Sequence, residues 1–149
     1  MRTLILMRHG QAEPYQTDDA ARRLTSKGIA EVQSVAEQLL ALDIRPNKIL
    51  ASSYQRALQT AELISGVIGQ GREIEQETLF TPEADPRIAV NYLEAIEAKT
   101  TLVSCHMPIV SYMLLLLSQG QMQWSFPTAG AAVLVARDQG WHVLKTLQP

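Results

Sequence analysis

Short hydrophobic stretches alternate along the chain with longer segments in which hydrophobic residues recur every three or four positions. The short stretches are typical of strands buried in a sheet, and the longer segments are typical of amphipathic helices. The predicted strands cover residues 3–7, 48–51, 74–80 and 100–104, and residues 11–24 between the first strand and the first helix predict a loop. Two further strand-like runs, 131–136 and 141–147, flank Asp138-Gln139-Gly140 and predict a hairpin.

Residues that can begin a helix mark the helix boundaries. Thr25 is a candidate N-cap for the first helix, and Ser52 or Ser53 for the second. Proline suits the first turn of a helix, so Pro86 and Pro108 predict the starts of the third and fourth. The predicted inward faces are Ile29, Val32, Val35, Ala36, Leu39, Leu40 and Leu42 in the first helix, Ala57, Leu58, Ala61, Ile64 and Ile68 in the second, and Ile88, Val90, Leu93 and Ile96 in the third.

Strands and helices therefore alternate through most of the chain, and a hairpin follows. Alternation of this kind favours parallel strands with the connecting helices packed on both faces. We expect an α/β fold of three layers, α/β/α, with a mostly parallel central sheet and a C-terminal hairpin. The length of 149 residues suits one domain, so residues 1–149 are expected to form a single domain.

Composition narrows the classes of function. The net charge of −2 gives no basic excess, which argues against nucleic acid as a partner. The single cysteine, Cys105, cannot form an internal disulfide and suits a reducing compartment. The apolar runs Met113–Leu117 and Leu4–Met7 are too short for a membrane span or a signal peptide. We therefore expect a cytoplasmic protein with no membrane partner.

Polar residues follow three of the predicted strands: Arg8-His9, Ser52-Ser53 and Cys105-His106. Parallel strands bring their carboxyl ends to one edge of a sheet, which is where ligands bind in such folds. The chain lacks the glycine-rich nucleotide loops GxxxxGK[ST] and GxGxxG, the GxSxG serine elbow and the HExxH zinc motif. The candidate chemistry is thus that of arginine and histidine side chains.

Three segments carry a resemblance to a known family: Arg8-His9-Gly10 after the first strand, Ser52-Ser53-Tyr54-Gln55-Arg56-Ala57-Leu58-Gln59-Thr60-Ala61, and His106-Met107-Pro108. The sequence resembles the histidine phosphatase superfamily, which includes the phosphoglycerate mutases, over nearly its whole length. Its short length and its segment Arg22-Arg23-Leu24-Thr25 look most like the SixA-type phosphohistidine phosphatases.

The resemblance implies that His9 is the nucleophile and that Arg8, Arg56 and His106 form a phosphate pocket. Gly10 and Arg22 are expected to contribute to substrate binding. Elementary chemistry agrees, because guanidinium groups suit phosphoryl oxygens and an imidazole nitrogen can carry a phosphoryl group covalently. A protonated His106 would donate to an equatorial oxygen. No metal or other cofactor is expected, because side chains supply the positive charges.

The proton donor for the leaving group has no strong motif. Glu83 and Asp85, in the loop after Phe80, are the candidate general acids. Asp18, Asp19 and Glu13 are less favoured alternatives. A site with a weak or absent proton donor favours a phosphohistidine substrate, because an imidazole with a pKa near 6.5 leaves more easily than an alkoxide. The expected activity is hydrolysis of phosphohistidine on a protein, with a histidine phosphotransfer domain as the expected partner. A small-molecule phosphomonoesterase and a non-catalytic phosphate-binding module remain open as alternatives.

Overall fold

The computed structural model describes residues 1–149 and contains six strands and four α-helices. The strands are β1 (Thr3–Arg8), β2 (Lys48–Ala51), β3 (Ile74–Gln76), β4 (Thr100–Cys105), β5 (Ala131–Ala136) and β6 (Trp141–Leu147). The helices are α1 (Ser26–Ala41), α2 (Gln55–Val67), α3 (Pro86–Ala95) and α4 (Ile109–Leu117). Two short 3₁₀ turns lie at Asp19–Ala21 and Thr78–Phe80.

The strands form one sheet in the order β3-β2-β4-β1-β5-β6. The pairs β1–β4, β2–β4 and β2–β3 are parallel, whereas β5 pairs antiparallel with β1 and with β6. In this register Arg8 lies beside Cys105, and Ala51 lies beside Ser104. The residues that follow β1, β2 and β4 therefore meet at one edge of the sheet, as the sequence predicts.

The helices cover both faces of the sheet. Alternate residues of β1 point to opposite sides, so that Ile5 and Met7 join one buried cluster while Leu4 and Leu6 join another. Helices α1 and α2 pack on the first cluster, and α3 and α4 pack on the second. This arrangement confirms the three-layer α/β/α fold with a mostly parallel sheet and a C-terminal hairpin. None of the helices is both long enough and apolar enough to cross a membrane.

Several local predictions are confirmed and several are wrong. Thr25 caps α1, because its side chain accepts a hydrogen bond from the Gly28 amide. Neither Ser52 nor Ser53 is the N-cap of α2, because the helix begins at Gln55 and Tyr54 occupies the N-cap position. The third strand ends at Gln76, because the chain turns into the 3₁₀ segment before Phe80.

Three residues assigned to the inward helix faces are exposed: Leu40, Leu42 and Ile88. Leu40 lies beside the buried Leu39 near the end of α1, and Leu42 lies past the last helical residue. In α3 the buried face consists instead of Ala89, Val90 and Leu93. Helical periodicity alone defines a face only to within about one neighbouring position, and the packed layers decide which side is covered.

Candidate active site

The loop after β1 is held on three sides by backbone contacts. The amide of His9 donates to the Cys105 carbonyl (3.0 Å), and the carbonyl of His9 accepts from the Ala129 amide (2.8 Å). Gly10 lies against the start of α1, where a Cβ atom at residue 10 would lie 2.5 Å from the Gly28 carbonyl oxygen. Only glycine allows this close approach, so Gly10 fixes the path of the loop that carries His9.

The hydrogen bonds of the His9 ring define its tautomer. Nδ1 lies 2.6 Å from the Gly10 carbonyl oxygen, which can only accept, so Nδ1 carries the proton. Nε2 is then unprotonated, and its lone pair accepts a hydrogen bond from Arg56 Nε at 3.3 Å. Burial is the main cause that lowers the pKa of His9 to about 4, and the charges of Arg56, Arg8 and Arg22 act in the same direction. At neutral pH His9 is therefore a neutral imidazole with its Nε2 lone pair facing a guanidinium.

Arg56 is buried in the first turn of α2 and is held on several sides. Its NH1 group donates to the Asp19 carbonyl oxygen (2.8 Å), and its NH2 group donates to Asp19 Oδ2 (3.1 Å). The guanidinium carbon lies 5.1 Å from the centre of the Tyr54 ring, within range of a cation–π interaction. These contacts fix the guanidinium beside His9.

Asp19 is shared between two arginines. Its Oδ1 atom accepts from Arg22 NH1 at 2.8 Å, while Arg22 Nε donates to the Glu13 carbonyl at 2.7 Å. The hydrogen bond from Arg22 is the largest cause that lowers the pKa of Asp19, and Arg56 adds to it. Arg22 is thus joined to Arg56 through one carboxylate. The positive charge of Arg22 also contributes to lowering the pKa of His9.

Arg8 and His106 complete the group. Arg8 NH1 donates to the Phe126 carbonyl (2.8 Å), whereas Arg8 Nε is buried without a partner. The His106 ring centre lies 5.2 Å from that of His9, with 64° between the ring planes. His106 Nε2 lies 2.8 Å from Ser52 Oγ, and His106 Nδ1 is buried without a partner. The structure therefore brings together the four residues that the sequence assigns to a phosphate pocket.

The surroundings of His106 determine its ionisation state. Burial is the main cause that lowers its pKa to about 2, and His9, Arg56 and Arg8 lower it further. This lowered pKa means that His106 is a neutral imidazole in the free protein, and the condition that it be protonated is not met there. Arg8 Nε and His106 Nδ1 are the two buried side-chain polar atoms without a partner in the whole chain. Two unpaired buried groups among arginines suit an anion that accepts hydrogen bonds.

The two candidate acids lie away from these contacts. Asp85 is exposed and is the N-cap of α3, where its Oδ1 accepts from the Arg87 amide at 2.9 Å. Glu83 is exposed and lines a surface cleft together with Pro108 and Tyr112. Neither carboxylate forms a hydrogen bond or an ion pair with the pocket residues, so the acid role stays a prediction. No three His, Cys, Asp or Glu side chains form a group that could hold a metal ion.

Comparison with known families agrees with this arrangement. Residues 4–80 match the model of the histidine phosphatase superfamily (branch 1), and this segment contains His9 and Arg56. The chain belongs to the histidine phosphatase superfamily. His106 lies outside the matched segment, but the fold places its ring next to that of His9.

Similar proteins include two bacterial relatives and one solved structure. Phosphohistidine phosphatase SixA of Escherichia coli (strain K12) is 28% identical over 140 residues, covering 92% of this chain and 87% of the relative. The SixA homolog of Haemophilus influenzae is 31% identical over 121 residues, covering 72% of this chain and 71% of the relative. The structure of the protein histidine phosphatase SixA complexed with tungstate has a TM-score of 0.92 at 25% identity, covering 98% of this chain and 96% of that chain.

Sequence reasoning did not assign the contacts of three residues of the site. Ser52 bonds to His106 and Asp19 to two arginines, while Thr60 Oγ1 accepts from the Gly10 amide at 3.1 Å. Ser52 and Thr60 lie within the segment that carries the family resemblance, and that position is the signal that could have found them. Asp19 lies in a loop without a motif, and only the fold reveals its partners.

Proposed function

We propose that this protein is a phosphohistidine phosphatase that works through a covalent phosphoryl intermediate on His9. The observation that carries the proposal is the unprotonated Nε2 of His9, which the bond from Nδ1 to the Gly10 carbonyl holds beside Arg56 Nε. A neutral imidazole with a fixed lone pair is a competent nucleophile for phosphorus. The family to which the chain belongs, and the names of its bacterial relatives, support this assignment.

In the first step, His9 Nε2 attacks the phosphorus atom and the P–N bond to the substrate histidine breaks. When the other nitrogen of the substrate ring carries a proton, a neutral imidazole leaves. The Gly10 carbonyl stabilises the positive charge that develops on the His9 ring through the proton on Nδ1. Arg56 Nε loses its acceptor when Nε2 bonds to phosphorus, so it becomes free to donate to a phosphoryl oxygen.

The remaining pocket groups bind the phosphoryl oxygens. Arg8 and Arg56 supply fixed positive charges, His106 supplies a hydrogen-bond donor, and Arg22 adds a charge through its position beside Asp19. Such preorganised donors stabilise the charge on the equatorial oxygens in the transition state. In the second step, water attacks the phosphorus and the P–Nε2 bond breaks with its electron pair returning to Nε2. The water oxygen leaves within inorganic phosphate, and the surplus proton passes to solvent.

The surroundings of the pocket favour a P–N bond over an alkyl phosphate. Asp19 is the carboxylate that contacts the pocket arginines, and its lowered pKa makes it a poor proton donor at neutral pH. An alkoxide leaving group needs such a donor, whereas an imidazole does not. A histidine phosphotransfer domain, which carries its phosphoryl group on an exposed histidine, is the partner we propose.

The test compares substrates and variants in one assay. A radiolabelled phosphotransfer domain and a panel of alkyl phosphates are incubated with the native protein, His9→Ala and His142→Ala. His142 is an exposed histidine of β6 and serves as the matched control. We expect rapid turnover of the phosphoprotein, none with His9→Ala and native turnover with His142→Ala, with unchanged circular dichroism. A folded His9→Ala protein that retains turnover would contradict the nucleophile role. Preference for an alkyl phosphate would favour the small-molecule alternative, and binding without turnover would favour the non-catalytic one.

A further inference from the structure

Ser52 is the polar partner of His106, and the hydrogen bonds around it determine where the protons lie. Both side chains are buried, with 0% and 1% of their surface exposed. Ser52 Oγ accepts from the Tyr54 amide at 3.3 Å and lies 2.8 Å from His106 Nε2. The amide of Tyr54 can only donate, so the Ser52 hydroxyl hydrogen has one available acceptor, His106 Nε2.

The two neutral tautomers of His106 differ in how many polar groups they satisfy. If Nδ1 carries the proton, Ser52 donates to the Nε2 lone pair, and the hydroxyl and Nε2 are both satisfied. If Nε2 carries the proton, it donates to Ser52 Oγ and the hydroxyl hydrogen is left buried without an acceptor. In the anion-free protein the first tautomer leaves one buried group unpaired, the Nδ1–H, whereas the second leaves two, the hydroxyl hydrogen and the Nδ1 lone pair. Each unpaired buried group costs free energy, so the first tautomer is favoured.

We propose that Ser52 fixes His106 as the neutral Nδ1–H tautomer and thereby directs an N–H donor into the phosphoryl pocket. Nδ1 is buried and has no protein partner, so its proton is available to a bound anion. The inference deepens the proposed function and rests on it for the identity of the anion. It assigns Ser52 as a positioning residue that acts through His106.

The proposal explains how a desolvated histidine among arginines can still bind a phosphoryl oxygen. An imidazolium ring in this place would meet the charges of Arg8 and Arg56, whereas a neutral ring avoids that repulsion and keeps one donor. The pocket would then contain two histidines in the same tautomer with different roles, one as a nucleophile and the other as a hydrogen-bond donor. The Gly10 carbonyl holds His9 with Nε2 unprotonated, and Ser52 holds His106 with its Nδ1 proton unpaired.

The neighbouring strand provides a matched control. Ser104 is also fully buried, and its hydroxyl donates to the Ala57 carbonyl at 2.8 Å without contacting an imidazole. The amide of Ser52 donates to the Ser104 carbonyl, so the two residues lie side by side. Ser104→Ala therefore removes a buried hydroxyl from the same region while leaving the His106 contact intact.

The direct test is nitrogen NMR of the histidine rings in the native, anion-free protein at neutral pH. Couplings between ring nitrogens and carbon-bound ring protons identify which nitrogen carries the proton. We expect His106 Nδ1 to be protonated and Nε2 to be unprotonated, and inorganic phosphate to shift the Nδ1 signal. In Ser52→Ala we expect the Nε2–H tautomer to appear. We expect kcat to fall by about 10–100-fold, by analogy with the loss of a partner that orients a metal-bound imidazole. Ser104→Ala should change neither the tautomer of His106 nor kcat.

Several results would overturn the proposal. A native His106 with Nε2 protonated overturns it whatever substrate the protein hydrolyses, which separates this failure from failure of the proposed function. A Ser52→Ala protein with the native tautomer and native kcat overturns the role of Ser52. An Nδ1 signal that does not respond to phosphate overturns the donor role. Because the native measurement needs no variant, the proposal remains testable if Ser52→Ala does not fold.

Discussion

Thr60 joins the loop that carries His9 to the helix that carries Arg56. Its hydroxyl accepts from the Gly10 amide at 3.1 Å and donates to the Arg56 carbonyl at 2.8 Å. The side chain is fully buried, so water cannot replace either bond. Thr60→Val exchanges the hydroxyl for a methyl group of similar volume and removes both bonds with little change in packing. We predict that this variant loses both stability and catalytic rate.

The expected loss of stability in Thr60→Val follows from the polar group that is left without a partner. The Gly10 amide would be buried without its acceptor, which costs about 1–3 kcal/mol. The Arg56 carbonyl lies in the interior of a helical turn and keeps its backbone partner, so the second lost bond adds little. For a domain of this size, each kcal/mol corresponds to a shift of about 2–4 °C in Tm. We therefore expect Tm to fall by about 2–12 °C.

The catalytic effect is expected because the same bond sets the distance between nucleophile and guanidinium. A shift of about 1 Å in a reacting group can cost on the order of 100-fold in rate, so kcat/KM should fall by about 10–100-fold. Thr60→Ser is the control, since it keeps the hydroxyl and removes one methyl group. We expect it to lose about 1 kcal/mol and to keep kcat/KM within about threefold.

Both variants are assayed for turnover well below their melting temperatures, and their unfolding is followed by calorimetry. A Thr60→Val protein with lower Tm and native kcat/KM would show that Thr60 stabilises the fold without positioning His9. A Tm equal to that of the native protein would mean that the Gly10 amide finds another acceptor. Equal loss of kcat/KM in Thr60→Ser would assign the effect to packing and refute the hydrogen-bond argument.

Two further predictions concern protons. The pKa values of His9 and His106 are lowered by burial to about 4 and about 2, so the unfolded chain, with histidine pKa values near 6.5, binds more protons in acid. The free energy of unfolding should therefore fall between pH ~7.5 and ~5 by about 2 kcal/mol per imidazole. Urea unfolding checks this, with His9→Gln expected to lose about half of the effect; a flat profile would contradict the lowered pKa values. Glu83→Gln and Asp85→Asn should slow hydrolysis of an alkyl phosphate by up to about 10²–10⁴ and that of phosphohistidine much less, because only an alkoxide needs a proton as it leaves. Rates measured for both substrate classes decide this prediction. Equal losses for both would indicate that the carboxylate positions the substrate. Asp85→Asn should not disturb α3, because asparagine can also serve as its N-cap.

The sequence alone determined the order of the elements and the edge at which the site lies. Short buried stretches such as 3–7 and 100–104 alternate with amphipathic segments, and that pattern is set by local chain geometry. Parallel pairing then places the residues after those strands together, so His9 and His106 could be matched across about a hundred residues. The segment around Arg56 could be recognised because its residues are contiguous in the chain.

Only the tertiary structure decided the partners and ionisation states within the site. Serine is a residue type that often caps helices. The hydroxyl of Ser52 nevertheless contacts His106, because β2 and β4 are neighbours in the sheet. Asp19 has no motif, and it binds Arg56 because the loop after β1 folds over α2. The neutral state of His106 depends on burial beside groups from two separate segments, the end of β1 and the first turn of α2. Such effects arise from groups distant in sequence and from exclusion of water, which no local pattern encodes.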